Sequence, residues 1–144
     1  MTLLAVGIGN PDRSDDRAGL VLARLLRLRR TCEVMVAGTA PEAITMRIKS
    51  RRPDVILLID AVQLDEAPGA VALLTSDDLE ERPAWHGHRP PLALLMRYLA
   101  AETGARVLLL GIQPGDTGWG RNLTPAVRGG IRRVAAMAAE IGLA

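Results

Sequence analysis

The sequence predicts an α/β fold: a three-layer α/β/α sandwich around a mostly parallel sheet. Three observations carry this. Short apolar runs alternate with stretches of helical periodicity along the whole chain. Val55-Ile56-Leu57-Leu58-Ile59 is apolar without interruption, as a central strand covered on both faces must be. Leu3-Leu4-Ala5-Val6 runs into the loop Gly7-Ile8-Gly9-Asn10-Pro11, and Ala18, Val21, Leu22, Leu25 and Leu26 then recur at helical spacing. The chain of 144 residues is 49% hydrophobic, enough for one core, and no linker or repeat divides it. We therefore expect a single domain over 1–144.

In order, Leu3–Val6 is the first strand. Gly7 and Gly9 let the backbone turn tightly, and Asn10-Pro11-Asp12 is turn chemistry. Asp15 and Asp16 sit where the first helix begins, and capping is the ordinary use of Asp there. Glu33–Ala37 is the second strand. Thr39 and Pro41 suit a helix start, with Ile44 and Ile48 facing inward. Val55–Ile59 is the third strand, with Asp60 at its carboxyl end. Pro68-Gly69 turns the chain into Ala70–Leu74. That connection is too short for a helical crossover, so this strand runs antiparallel at an edge. Residues 75–90 read as a polar, irregular loop containing His86 and His88. Pro90-Pro91 opens a helix through Leu92, Leu95, Met96 and Leu99, which Gly104 ends. Arg106–Leu110 is the fifth strand, and a glycine-rich loop follows to Asn122. The last helix begins at Thr124-Pro125 and buries Val127, Ile131, Val134, Ala135, Ala138 and Ile141.

Composition narrows the functional classes. No apolar run approaches 20 residues, so no membrane insertion is expected. The first residues enter a strand without a signal-peptide pattern. The single Cys32 rules out an internal disulfide and reads as a small packing residue. Together these point to the cytoplasm. Net charge is +2, and the arginine runs fall at helix ends and outer faces. Nucleic-acid binding prefers a basic patch with stacking aromatics, but the chain has no Phe and only Trp85, Tyr98 and Trp119. Nucleotide binding is also disfavoured. The G-x-G-x-x-G fingerprint needs glycine at residue 12, where Asp12 stands, and an acidic loop repels phosphate.

In open parallel sheets, sites form beyond the carboxyl ends of strands, where the strand order reverses. If strands 1 and 3 are neighbours, Asp16 and Asp60 share that crevice, and the loops of His88 and Gln113 reach the same edge. Two carboxylates and an imidazole make a borderline-hard divalent site with open positions. Metal-bound water there becomes a hydroxide nucleophile near neutral pH. Residue types alone leave the plainer readings open: Asp60 as a turn residue, His88 as a surface histidine. No serine elbow of the G-x-S-x-G type competes.

Six blocks, in order, carry a family resemblance. They are Gly7–Gly19 (GIGNPDRSDDRAG), Gly38-Thr39-Ala40-Pro41-Glu42, Ile59-Asp60-Ala61 with Pro68-Gly69, Gly87-His88-Arg89-Pro90-Pro91-Leu92, Gly111-Ile112-Gln113-Pro114, and Leu123-Thr124-Pro125-Ala126-Val127. The sequence resembles the [NiFe]-hydrogenase maturation endopeptidases, closest to the branch that processes formate-hydrogenlyase-type large subunits.

The resemblance implies a five-stranded sheet of order 2-1-3-5-4 with strand 4 antiparallel. It implies an endopeptidase that removes the C-terminal extension of a [NiFe]-hydrogenase large-subunit precursor after nickel insertion, cutting just after a basic residue. Asp16, Asp60 and His88 match the family's metal-contacting residues, and we assign them the catalytic and metal roles. The nickel is carried by the substrate as a recognition signal, so no tightly bound metal is expected in the free protein. A noncatalytic module of the same fold, binding the precursor or a small ligand, is the alternative. Asp15, Gly7, Gly9 and Asn10 read as structural support, while Gln113 and Thr124 frame the cleft or serve as caps. Two departures stand out. Arg17 occupies a position where the family has a small residue, and we expect it to face solvent rather than pair with Asp15 or Asp16. His86 lies two residues before His88, and only His88 has the Pro91-Leu92 spacing.

Overall fold

The computed structural model describes residues 1–82 and 92–140. Five strands form one sheet: β1 (Leu3–Ile8), β2 (Glu33–Gly38), β3 (Val55–Ala61), β4 (Val71–Leu74) and β5 (Arg106–Ile112), in the order β2-β1-β3-β5-β4. β1 pairs parallel with both β2 and β3, and β3 parallel with β5. The short edge strand β4 pairs antiparallel with β5, Val71 opposite Ile112. This is the expected order and the expected antiparallel edge.

Alternation along each strand sends side chains to two cores, because successive Cβ atoms point to opposite faces. Leu4, Val6 and Ile8 of β1, Ile56 and Leu58 of β3 and Leu109 of β5 pack on one face. They meet α2 (Thr45–Ser50), α3 (Ser76–Glu81) and α4 (Leu92–Thr103) through Ile48, Leu79, Met96 and Leu99. Ala5, Ile59, Leu110 and Ile112 pack on the other face. There they meet α1 (Ala18–Leu28) and α5 (Pro125–Glu140) through Leu22, Leu26, Val127, Ile131 and Ala135. The three layers follow directly.

α1 sits unusually close to the sheet. A Cβ on Gly19 would lie 2.2 Å from the Ile59 carbonyl oxygen and 2.4 Å from that of Ile8. Only glycine permits this approach, and it draws the start of α1 onto the carboxyl ends of β1 and β3. The chain passes from β1 to β2 on one side and to β3 on the other, so the strand order reverses at that point.

Several local expectations change. Residues 76–81 are helical, not irregular: Thr75 accepts from the Asp78 amide and Asp78 from the Thr75 amide, a reciprocal capping box, and Leu79 is buried. Thr39 caps nothing, because Pro41–Ile44 forms a 3₁₀ turn with Ala40 before it and no side-chain cap. β1, β3 and β5 each extend two residues further than the apolar runs suggested, so Asp60 lies inside β3, opposite Gly111. His86, His88, the Pro90-Pro91 helix start and Ile141 lie outside the described residues.

Candidate active site

The site is built on two segments, 9–17 after β1 and 113–124 after β5, which are laced together. Gly9 has φ +156°, and a Cβ on it would lie 2.2 Å from the Asp16 carbonyl oxygen, so the loop folds tightly against its own end. Ser14, at φ 47°, begins a 3₁₀ turn, Ser14–Arg17, that leads directly into α1. The Ser14 amide donates to the Gly120 carbonyl at 2.8 Å, and the Gly120 amide donates to the Asp12 carbonyl at 2.9 Å. The Asp15 amide donates to the Asp116 carbonyl at 2.8 Å.

Asp15 is the knot. It is wholly buried, and its carboxylate accepts from the amides of Gly115 (2.8 Å), Asp116 (3.0 Å) and Thr124 (2.8 Å) and from the Thr124 hydroxyl (2.8 Å). Burial pushes its pKa up, but the three amides and the hydroxyl outweigh it, and the carboxyl is held below its ordinary value. Asp15 therefore caps, as its position suggested, but the end it caps is that of α5, 109 residues away, rather than its own helix.

With Asp15 turned inward, the next residue stands at the edge of the crevice. Asp16 is half-buried, and its Oδ2 accepts from the Asn10 amide at 3.1 Å. Asp60 is 1% exposed, and its Oδ1 accepts from the Ala61 amide at 2.8 Å. The 3₁₀ turn carrying Asp16 packs against β3, which carries Asp60. Both carboxylates thus belong to the edge where the strand order reverses. His88 lies outside the described residues. Among those residues, no three His, Cys, Asp or Glu side chains are grouped to hold a metal ion.

Gln113, 4% exposed, is an internal brace. Its Oε1 accepts from the amides of Leu64 (2.6 Å) and Glu66 (3.4 Å), and its Nε2 donates to Gln63 Oε1 (2.6 Å) and the Pro114 carbonyl (3.0 Å). It fixes the chain leaving β3. Gln113 and Thr124 both spend their polar groups on hydrogen bonds within the protein. Arg17 departs from the solvent-facing expectation. Its Nη1 donates to the Arg121 carbonyl, and its Nε is enclosed without a hydrogen-bond partner. Its partner on the loop 113–124 is thus a backbone carbonyl. Cys32 packs at the edge of the α1/α5 core, where burial pushes its thiol pKa up, as suits a packing residue. Sequence reading missed the stack of Arg13 over the Trp119 ring, 4.5 Å from its centroid, because the two residues are distant in the chain. The one available signal was an isolated tryptophan between glycines.

A buried, fully hydrogen-bonded aspartate thus stands next to Asp16, whose 3₁₀ turn packs against the strand carrying Asp60, where the strand order reverses. The family model for the HycI hydrogenase maturation proteases matches residues 19–141, a span containing Asp60 and His88 and beginning just past Asp16. The chain is 30% identical over 136 residues to the hydrogenase 3 maturation protease of Escherichia coli, covering 93% of this chain and 86% of that one. It is 30% identical over 122 residues to a putative hydrogenase maturation protease of Methanocaldococcus jannaschii, covering 78% and 72%. Among solved structures, the endopeptidase HycI from E. coli superposes with a TM-score of 0.87 at 29% identity, covering 97% of this chain and 90% of that one. The [NiFe] hydrogenase maturation protease HycI from Thermococcus kodakarensis gives 0.84 at 29% identity, covering 97% and 91%. The chain belongs to the hydrogenase maturation protease family.

Proposed function

We propose that this protein is the endopeptidase that trims the C-terminal extension from a [NiFe]-hydrogenase large-subunit precursor once nickel is in place. The observation that carries the reading is the placement of Asp16 and Asp60 at one sheet edge in a chain of this family. The protein acts as one domain over 1–144, in the cytoplasm. No described helix is long and apolar enough to cross a membrane.

In this reading Asp16, Asp60 and His88 meet the nickel of the bound precursor, so the metal is part of the substrate. A set of two carboxylates and one imidazole, without thiolate, holds nickel weakly by itself and completes a coordination shell that the precursor has begun. That makes the set a sensor of nickel loading. One of the two carboxylates takes a proton from water as the water attacks the scissile carbonyl carbon, and the proton passes to the departing amine. The carboxylates are held still for this work by Asp15 and the laced loops, since positioning of reacting groups supplies much of the rate.

Incubation of the precursor with the protein, read by intact mass, tests the proposal. The nickel-loaded precursor should lose a short C-terminal peptide and the nickel-free form should keep it. Retention of the peptide by a verified nickel-loaded cognate precursor would favour a noncatalytic module of the same fold.

A further inference from the structure

We infer that Trp119, braced by Arg13, is a docking platform for the precursor polypeptide beside the scissile bond and sets the affinity of the enzyme for it. The inference rests on the proteolytic reading above.

Trp119 is 78% exposed, although indole is among the side chains most costly to leave in water. It is nevertheless not on a loose loop. Gly118 on one side donates its amide to Asp116 Oδ1 at 2.8 Å. Gly120 on the other is held by both its amide and its carbonyl, to Asp12 and Ser14. The Arg13 guanidinium lies over the ring, 4.5 Å from its centroid, and its Nε donates to the Thr117 carbonyl at 2.9 Å. Arg121 Nε, pairing with Asp12 Oδ1 at 3.1 Å, closes the lacing on the far side. A rigid aromatic anchor flanked by arginine is the side-chain pair that dominates binding energy at protein interfaces.

Its place selects the occupant. Arg13 and Ser14 immediately precede the Asp15-Asp16 pair, so the platform is continuous with the rim of the candidate active site. Arg13 lies three residues before Asp16, so a polypeptide bound at Asp16 has the platform within reach. With Arg13 over the indole, Trp119 is still 78% exposed. Among the described residues, Arg13 has a carbonyl and a ring as partners but no carboxylate. The platform therefore fits a segment that lays an apolar side chain on the indole and turns a carboxylate toward Arg13.

Processing kinetics on the nickel-loaded precursor test this, with Trp119→Ala, Trp119→Phe and, as a control on the exposed side of α5, Met137→Ala. Trp119→Ala should lower kcat/KM by about thirtyfold, through KM, with kcat at saturation kept. Trp119→Phe should recover most of the loss, and Met137→Ala should match the wild type. An unchanged KM in Trp119→Ala overturns the inference. So does a loss confined to kcat, which would mean that the substitution merely disturbs the Asp16 turn. A change of sedimentation between wild type and Trp119→Ala would assign the patch to a second copy of this chain and also overturns it. If the wild type does not cleave the precursor, the proteolytic reading fails. Docking is then decided by emission of a Trp85→Phe variant, whose remaining indole is Trp119. A shift on titration with the precursor upholds the platform, and a constant spectrum refutes it.

Discussion

Removing the Asp15 carboxylate leaves the amides of Gly115, Asp116 and Thr124 and the Thr124 hydroxyl without their acceptor in the interior. Each such buried donor carries a desolvation cost, so Asp15→Ala should destabilise the fold by about 3 kcal/mol or more, measured by urea unfolding. It should also lower processing, because the turn bearing Asp16 loses its tie to the loop beyond β5. The same carboxylate makes stability depend on acid. Its folded pKa lies below the ordinary value of 3.8, so its contribution is complete above that value and is lost as pH falls through the lower folded one. Asp15→Asn should therefore flatten the acid limb of a stability profile taken from pH 6 down to pH 2, and an acid limb of wild-type steepness would contradict this. The sequence announced a capping role for Asp15 through its position before a helix. It could not reveal which helix, because the partners at 115, 116 and 124 come together only when β5 lies beside β3. Arg17 escaped for the same reason: the carbonyl it reaches belongs to Arg121, on a loop whose path depends on the whole sheet.

At the scale of elements, the contact of α1 with β1 and β3 decides how near Asp16 comes to Asp60. A methyl group on Gly19 would collide with two backbone carbonyls, neither of which can rotate away as a side chain would. Gly19→Ala should cost about 3 kcal/mol and lower the melting temperature by about 10 °C. Processing should fall further than stability at the assay temperature explains, and parallel calorimetry and kinetics would show whether it does. Strands and helices were legible from the apolar patterns, since β1, β3 and β5 alternate or run continuously between turn residues. Their ends were less so. β3 continues through Asp60 because its pairing with β5, not its own composition, sets the limit. α3 was hidden in a polar stretch, where the only signs were Thr75, Asp78 and the buried Leu79. Thr75→Ala breaks that capping box and should cost about 1 kcal/mol of unfolding free energy.

For the molecule as a whole, the order β2-β1-β3-β5-β4 reverses the winding of the chain at β1 and β3, and the turn carrying Asp16 and the strand carrying Asp60 meet there. Of the candidate triad, Asp16 and Asp60 were legible as carboxylates following apolar strands, and the structure brings their elements together. Their joint use with His88 is a proposal that rests on family membership and chemistry, since His88 lies outside the described residues. Gln113 was visible as a polar residue at a strand end, but its hydrogen bonds to the chain leaving β3 required the fold. The most direct test of the proposed site compares the wild type with Asp16→Ala and His88→Ala on nickel-loaded precursor, following the intact mass of the precursor with time. The expected result is prompt loss of a C-terminal peptide with the wild type and roughly a hundredfold slower loss with either variant, in line with removal of a general base or a positioning ligand. Cleavage by either variant at the wild-type rate would contradict it.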